Sequence, residues 1–173
     1  IPLPDIHADM HNLRDWLSGT GIISLGEAND GSQDTLTDYA SKVTLIQMGD
    51  CVDRGGDSIA VMDYLEKLRE MGMDLRRIVG NHELIYLTKY DKSDTGTLYR
   101  QSMHGWNREM DESGEIYKKL YEAVKKSYVE TAGGRYVPTN SGLKAAELID
   151  DMIFIHGGIT PAAVHESGFI IDL

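Results

Sequence analysis

Val43-Thr44-Leu45-Ile46-Gln47-Met48 runs straight into Gly49-Asp50-Cys51-Val52-Asp53-Arg54-Gly55, and this junction decides the fold. The first six residues are a short apolar run bounded by polar loops, which reads as a buried strand. The next seven form a loop that opens on a glycine and carries two carboxylates and an arginine. The same order, apolar strand then polar loop, recurs three times. Residues 1–4 lead to Asp5, residues 75–79 to Gly80 and Asn81, and residues 152–155 to His156. Asp5, Asp50, Asn81 and His156 therefore fall at C-terminal strand ends, the edge of an open α/β sheet where ligands bind. Four such coincidences are hard to assign to chance.

Working outward, the intervening segments carry helical patterns. Met10, Leu13, Trp16 and Leu17 share one face over residues 9–17. Asp57 or Ser58 can cap a helix with the stripe Ile59, Met62, Leu65 and Leu68, and Gly72 is placed to stop it. Arg76 and Arg77 interrupt the strand at 75–79, and a helical segment is expected after His82. Residues 18–38, rich in Gly, Ser, Thr and Asp, read as a loop or variable insertion. Residues 91–142 are polar and aromatic and read as a helical cap insert, with a helix over 115–129. Alternating strands and helices predict an α/β domain with a mainly buried sheet.

A chain of 173 residues suits one domain, and 41% hydrophobic with 26% charged residues is ordinary for a soluble protein. A net charge of −11 argues against a nucleic-acid backbone as partner. It leaves a phosphorylated substrate open, because bound divalent cations reverse the local field of an acidic site. No apolar run approaches the ~20 residues of a membrane span. The first residues lack the basic start and apolar stretch of a signal peptide, and there is no initiator Met, so upstream sequence is expected. Cys51 is the only cysteine, which excludes an internal disulfide and leaves the redox compartment open. A cytoplasmic setting is the default expectation.

The strand-end residues point to a chemistry. Carboxylates and imidazoles together suit Mn, Fe or Zn better than Ca or Mg. Two metals roughly 3.5–4 Å apart stabilise the attacking and leaving oxygens of an in-line displacement. One carboxylate must bridge such a pair, and Asp50 is the natural candidate, with a bridging hydroxide as nucleophile. Arg54 is suited to clamp phosphate oxygens, and Asn81 also faces that substrate position. His82 is placed to protonate the leaving oxygen, with Asp53 orienting its imidazole.

Four blocks carry a family resemblance: Asp5-Ile6-His7, Gly49 to Gly55, Gly80-Asn81-His82-Glu83 and His156-Gly157-Gly158. They resemble the metallophosphoesterases (calcineurin-like phosphoesterases), in particular the phosphoprotein phosphatase family and its bacterial-like branch. That pattern is Gly-Asp-x-His-Gly, Gly-Asp-x-Val-Asp-Arg-Gly, Gly-Asn-His-Glu and His-Gly-Gly, and the last three match as written. The resemblance implies a β-sandwich flanked by helices and a phosphoprotein phosphatase that hydrolyses phosphomonoesters on Ser/Thr or Tyr through a hydroxide bridging two divalent metal ions, Mn²⁺ first, then Fe or Zn. It implies Asp5 and His7 on one metal, Asn81 and His156 on the other, and Asp50 between them. His82 with Asp53 would then be the general acid and Arg54 the phosphate clamp. Two alternatives stay open: a hydrolase of small phosphorylated molecules such as dinucleoside polyphosphates, and a non-catalytic metal-binding or interaction module.

The sequence also departs from the pattern. Pro4 and Ala8 replace both glycines of the first block, for which a modest geometric change is expected. The family places a further metal-binding histidine, and often a second phosphate-binding arginine, well after the fourth block. Residues 159–173 contain no arginine and only His165, so a C-terminal truncation is expected. His165 reads as solvent-facing or as a replacement ligand. His11, one turn after His7, reads as a surface histidine rather than a zinc partner. His104, beside Met103 and Trp106, reads as insert packing. Cys51 reads as a small buried hydrophobe, because no Cys-x5-Arg loop follows it. Glu83 reads as orienting a neighbour or capping a helix, and Tyr117, Tyr121, Tyr128 and Tyr136 as core or cap packing.

Overall fold

The computed structural model describes residues 1–88 and 114–158. In chain order these form β1 (Pro2–Leu3), α1 (Met10–Gly19), β2 (Ile23–Ser24), β3 (Thr35–Leu36), β4 (Thr44–Gln47) and α2 (Ser58–Glu70). There follow β5 (Asp74–Ile78), α3 (Asn81–Thr88), α4 (Glu115–Lys125), β6 (Tyr128–Glu130), β7 (Tyr136–Pro138), β8 (Leu143–Lys144), β9 (Ala146–Ile149) and β10 (Met152–Ile155). A parallel sheet in the order β1-β4-β5-β8 forms the centre. Helices flank it, as the alternating pattern requires, and this is the α/β fold expected of a metallophosphoesterase.

The core lies between this sheet and the apolar stripes of α1 and α2. Leu13 and Leu17 of α1 and Val61, Leu65 and Leu68 of α2 are fully buried beside Leu3, Leu45 and Leu75. Asp9 starts α1, its Oδ1 accepting the Asn12 N–H at 2.9 Å. At α2 the expected caps behave differently. Asp57 makes no side-chain capping bond, and the Ser58 hydroxyl instead accepts the Asp53 N–H at 3.0 Å. Gly72, at φ +106°, ends α2 as read, and its freedom to adopt that angle lets the chain turn into β5.

Three sequence expectations need correction. Residues 18–38 are not a loose loop: β2 and β3 pair there, and Asp34 ties the segment to two helices. Its carboxylate takes both Arg14 Nε and Nη2 at 2.8 Å, the Tyr64 hydroxyl at 2.6 Å and the Gly26 N–H at 2.8 Å. Second, the helix expected over 115–129 stops at Lys125, and β6 and β7 follow as a hairpin. That hairpin leaves Tyr128 and Tyr136 exposed, along with Tyr121, which stacks on Tyr117 at 5.8 Å, so these rings are not a packed core. Third, β10 ends at His156 as predicted but pairs antiparallel with β9 outside the parallel sheet, whose fourth strand is β8. Met152 and Ile153 are accordingly exposed. The part of the predicted insert at 91–113, with His104, and His165 lie outside the described residues. Among the described residues, no helix is long and apolar enough to cross a membrane.

Candidate metal centre

The two loops after β1 and β4 are laced together by main-chain bonds. The N–H groups of Ile6 and His7 donate to the Asp50 carbonyl at 3.1 and 2.9 Å, Ala8 N–H to Cys51 at 3.0 Å, and Gly55 N–H to His7 at 3.0 Å. A third element pins the second loop from below. Glu83, fully buried on the first turn of α3, accepts four backbone N–H groups. Its Oε2 takes Gly80 at 2.7 Å and Asp50 at 2.8 Å, and its Oε1 takes Cys51 at 2.8 Å and Val52 at 3.3 Å. A carboxylate so held fixes where Asp50 stands. Gly49 is needed here: at φ +100°, a Cβ would come within 2.7 Å of His156 Nδ1 and 2.8 Å of Gly80 Cα.

Asp50 is the hub. Its Oδ1 accepts the His82 N–H at 2.9 Å. Its Oδ2 lies 3.5 Å from His156 Nε2, and 3.9 Å from Nε2 of both His7 and His82. Two groups with metal-ligand spacing result, His7–Asp50–His82 and Asp5–Asp50–His156, and they share Asp50. Asn81 joins the second group, its Oδ1 lying 3.0 Å from His156 Nε2, while Asp5 Oδ1 is 3.8 Å from His156 Nδ1.

These residues fit a divalent cation. The Met48 carbonyl, 2.8 Å from His156 Nδ1, can only accept, so Nδ1 donates to it and the ring turns Nε2 toward the other strand-end loops. Nε2 faces Asn81 Oδ1 at 3.0 Å and Asp50 Oδ2 at 3.5 Å. One imidazole nitrogen and two oxygens converging at strand-end loops are the mixed donor set that a divalent cation such as Mn, Fe or Zn takes. His7 Nδ1, buried and without a hydrogen-bond partner, is a second sign of an incompletely satisfied site.

His82 is set apart from the other imidazoles by its neighbours. It is fully buried; Nδ1 donates to Asp53 Oδ2 at 2.9 Å, and Arg54 Nη2 approaches Nε2 at 3.3 Å. This guanidinium contact sets His82 Nε2 apart from Nε2 of His7 and His156. Tyr86, one turn along α3, adds a hydroxyl bond to Asp53 Oδ1 at 3.2 Å. The sequence reading missed it, although its i, i+4 spacing from His82 was the available signal.

Every site residue predicted from the sequence is therefore in one cluster: Asp5, His7, Asp50, Asp53, Arg54, Asn81, His82 and His156. Cys51 is fully buried, and burial pushes its thiol well above the ordinary range, as suits a small hydrophobe and not a nucleophile. His11 is exposed and pairs with Asp15 at 3.3 Å, away from the cluster.

Residues 3–168 match the model of the calcineurin-like phosphoesterase family. The chain belongs to that family. It is 27% identical to an uncharacterized protein of Schizosaccharomyces pombe over 98% of this chain and 46% of that one. Identity is 29% with Shewanella-like protein phosphatase 2 of Arabidopsis thaliana, over 49% of this chain and 20% of the relative. It is 36% with the symmetrical bis(5'-nucleosyl)-tetraphosphatase of Edwardsiella ictaluri, over 50% and 24%. The chain spans less than half the length of these curated relatives. No solved structure gives a significant match. Where the metallophosphoesterase pattern has its second first-block glycine, this chain holds Ala8 in the left-handed region at φ +55°, with its methyl buried.

Proposed function

We propose that this chain is a metal-dependent phosphomonoesterase acting on phosphorylated protein side chains. The observation that carries the reading is Asp50 Oδ2 standing within 3.9 Å of three imidazole nitrogens, beside the Asp53–His82–Arg54 array. Asp5, His7, Asp50, Asn81 and His156 would hold two divalent cations, Mn²⁺ being the first to try. When bound, these supply charge to neutralise the phosphoryl oxygens and acidify a water at neutral pH.

The protein's own groups do the rest. Arg54 binds the phosphoryl oxygens, and in leaving His82 it frees Nε2 to face the departing oxygen. Asp53 holds Nδ1–H and stabilises the imidazolium, so that Nε2–H donates its proton as the P–O bond breaks. Asn81 presents its amide beside the same oxygens.

A second reading rests on the 36% identity to the tetraphosphatase: hydrolysis of dinucleoside polyphosphates by the same groups. The deciding experiment follows phosphate release from p-nitrophenyl phosphate against Mn²⁺ concentration, in the wild type and in Asp50→Asn, and then ranks phosphopeptides against diadenosine tetraphosphate. Saturable, metal-dependent turnover that collapses in the variant supports the site. Preference for the dinucleotide replaces the first substrate class with the second. Two cations bound per chain with no turnover on any substrate refutes both and leaves a metal-binding module.

A further inference from the structure

A cavity of about 250 Å³ opens between α2 and α4, and Arg77 of β5 forms part of its wall. Arg77 is 7% exposed, and its Nε is buried without a hydrogen-bond partner. Its Nη2 has only the Cys51 sulfur at 3.9 Å. Among the described residues no carboxylate pairs with it. Gln47, its cross-strand neighbour, also has an unpartnered Oε1, yet a neutral amide does not balance a charge.

The acids that line the cavity are already committed. Asp63 pairs with Lys119, and Glu66 with Arg69 at 2.6 Å and Lys126 at 3.2 Å. Glu122 pairs with Lys125 at 2.9 Å. Lys118, exposed on the rim, adds a cation with no side-chain partner among the described residues. A buried, uncompensated guanidinium is strongly unfavourable, and proteins retain one where a ligand completes it.

We infer that this cavity is a second oxyanion site, separate from the metal centre, in which Arg77 and Lys118 take a phosphate or carboxylate group. Free phosphate and the acidic group of a small metabolite share that chemistry. The planar guanidinium favours two-point contact with either.

The test measures the thermal midpoint of metal-loaded protein against sodium sulfate and, separately, sodium acetate, at ionic strength held constant with chloride. Excluded salts stabilise without saturating, so the readout is the saturable part of the shift. The expected result is a saturable shift in wild type that survives in Arg54→Gln and is lost when Arg77→Met is added to that variant; Arg77→Met alone melts higher than wild type without added anion. The anion that saturates at the lower concentration distinguishes a tetrahedral from a planar ligand. A saturable shift in Arg54→Gln that Arg77→Met leaves unchanged, or one that Arg54→Gln alone abolishes, overturns the proposal, as does its absence from wild type. If Arg77→Met does not fold, Lys118→Gln decides: severalfold weaker saturation supports the site, and unchanged saturation refutes it.

Discussion

Glu83→Gln tests whether the metal centre is positioned by a buried carboxylate rather than by the loops alone. Each Glu83 oxygen serves two donors, Gly80 and Asp50 on one, Cys51 and Val52 on the other. A glutamine keeps one oxygen and turns an NH₂ toward the other pair. Whichever orientation it takes, two backbone N–H groups lose their acceptor and face a donor, in a residue with no exposed surface. An orphaned buried donor costs about 1–3 kcal/mol, so the loss is about 2–6 kcal/mol. The shape of the side chain hardly changes, which removes cavity formation as a rival cause. Because Asp50 N–H is one of the four donors, the hub carboxylate shifts with the loop, and metal affinity should fall 10–100-fold, the usual effect of removing a supporting group. Urea unfolding of the two proteins measures the first effect, and the Mn²⁺ midpoint for p-nitrophenyl phosphate turnover measures the second. A variant within about 1 kcal/mol of wild type, with an unshifted metal midpoint, would refute the reasoning.

Asp53→Asn should lower kcat about 10²–10³-fold on alkyl phosphates, whose leaving oxygen needs a proton, and much less on p-nitrophenyl phosphate. Equal losses on both substrates would remove His82 from the acid role, and Tyr86→Phe should show the same leaving-group bias at severalfold size. For Asp34, burial raises the carboxyl pKa, but the bonds from Arg14, Tyr64 and Gly26 outweigh it and hold the group at about 2, against an ordinary 3.8. A depressed folded value contributes stability above the unfolded pKa and loses it as pH falls toward 2; the depression corresponds to about 2 kcal/mol at neutral pH. The stability gap between wild type and Asp34→Asn, read by urea unfolding, should therefore narrow by about 1 kcal/mol from pH 6 to pH 3, and a constant gap would contradict the assignment.

The site was legible in the sequence because its residues sit at the ends of apolar strands, where two local signals, the strand and the polar loop, coincide. What escaped depends on partners far away in the chain. Residues 18–38 look like a loop because their order comes from Asp34, whose partners Arg14 and Tyr64 lie 20 and 30 residues distant. Strand β8 has only two residues and no periodicity to read, yet it completes the sheet beside β5. The apolar stripe of the 115–125 helix continues in sequence to Val129, which makes the helix look longer than it is, although Gly133 and Gly134 mark the turn of a hairpin. Placing His156 in the same sheet as Asp50 followed from its strand-end position. No local pattern tells a parallel strand from a strand of the adjoining antiparallel ribbon.

Backbone strain is concentrated where the chemistry is proposed. Among the described residues, six that are not glycine have positive φ, and five of them, His7, Ala8, Asp50, Asp53 and Arg54, lie in the two laced loops. Each left-handed residue costs about 1–2 kcal/mol, so the five together approach the net stability of an ordinary domain. Such a cluster persists only if the surroundings over-determine it. They do: the Asp50 carbonyl takes two N–H groups from the first loop, His7 takes Gly55, and Glu83 takes four from the second loop and the turn before α3. A glycine at position 8 would relax one of these angles without cost to a hydrogen bond, since Ala8 bonds only through its backbone. The side chains of His7, Asp50, Asp53 and Arg54 have no such freedom, because each angle aims a group that the proposed reaction uses. Strain at Ala8 is thus a property of this sequence, whereas strain at the other four belongs to the site.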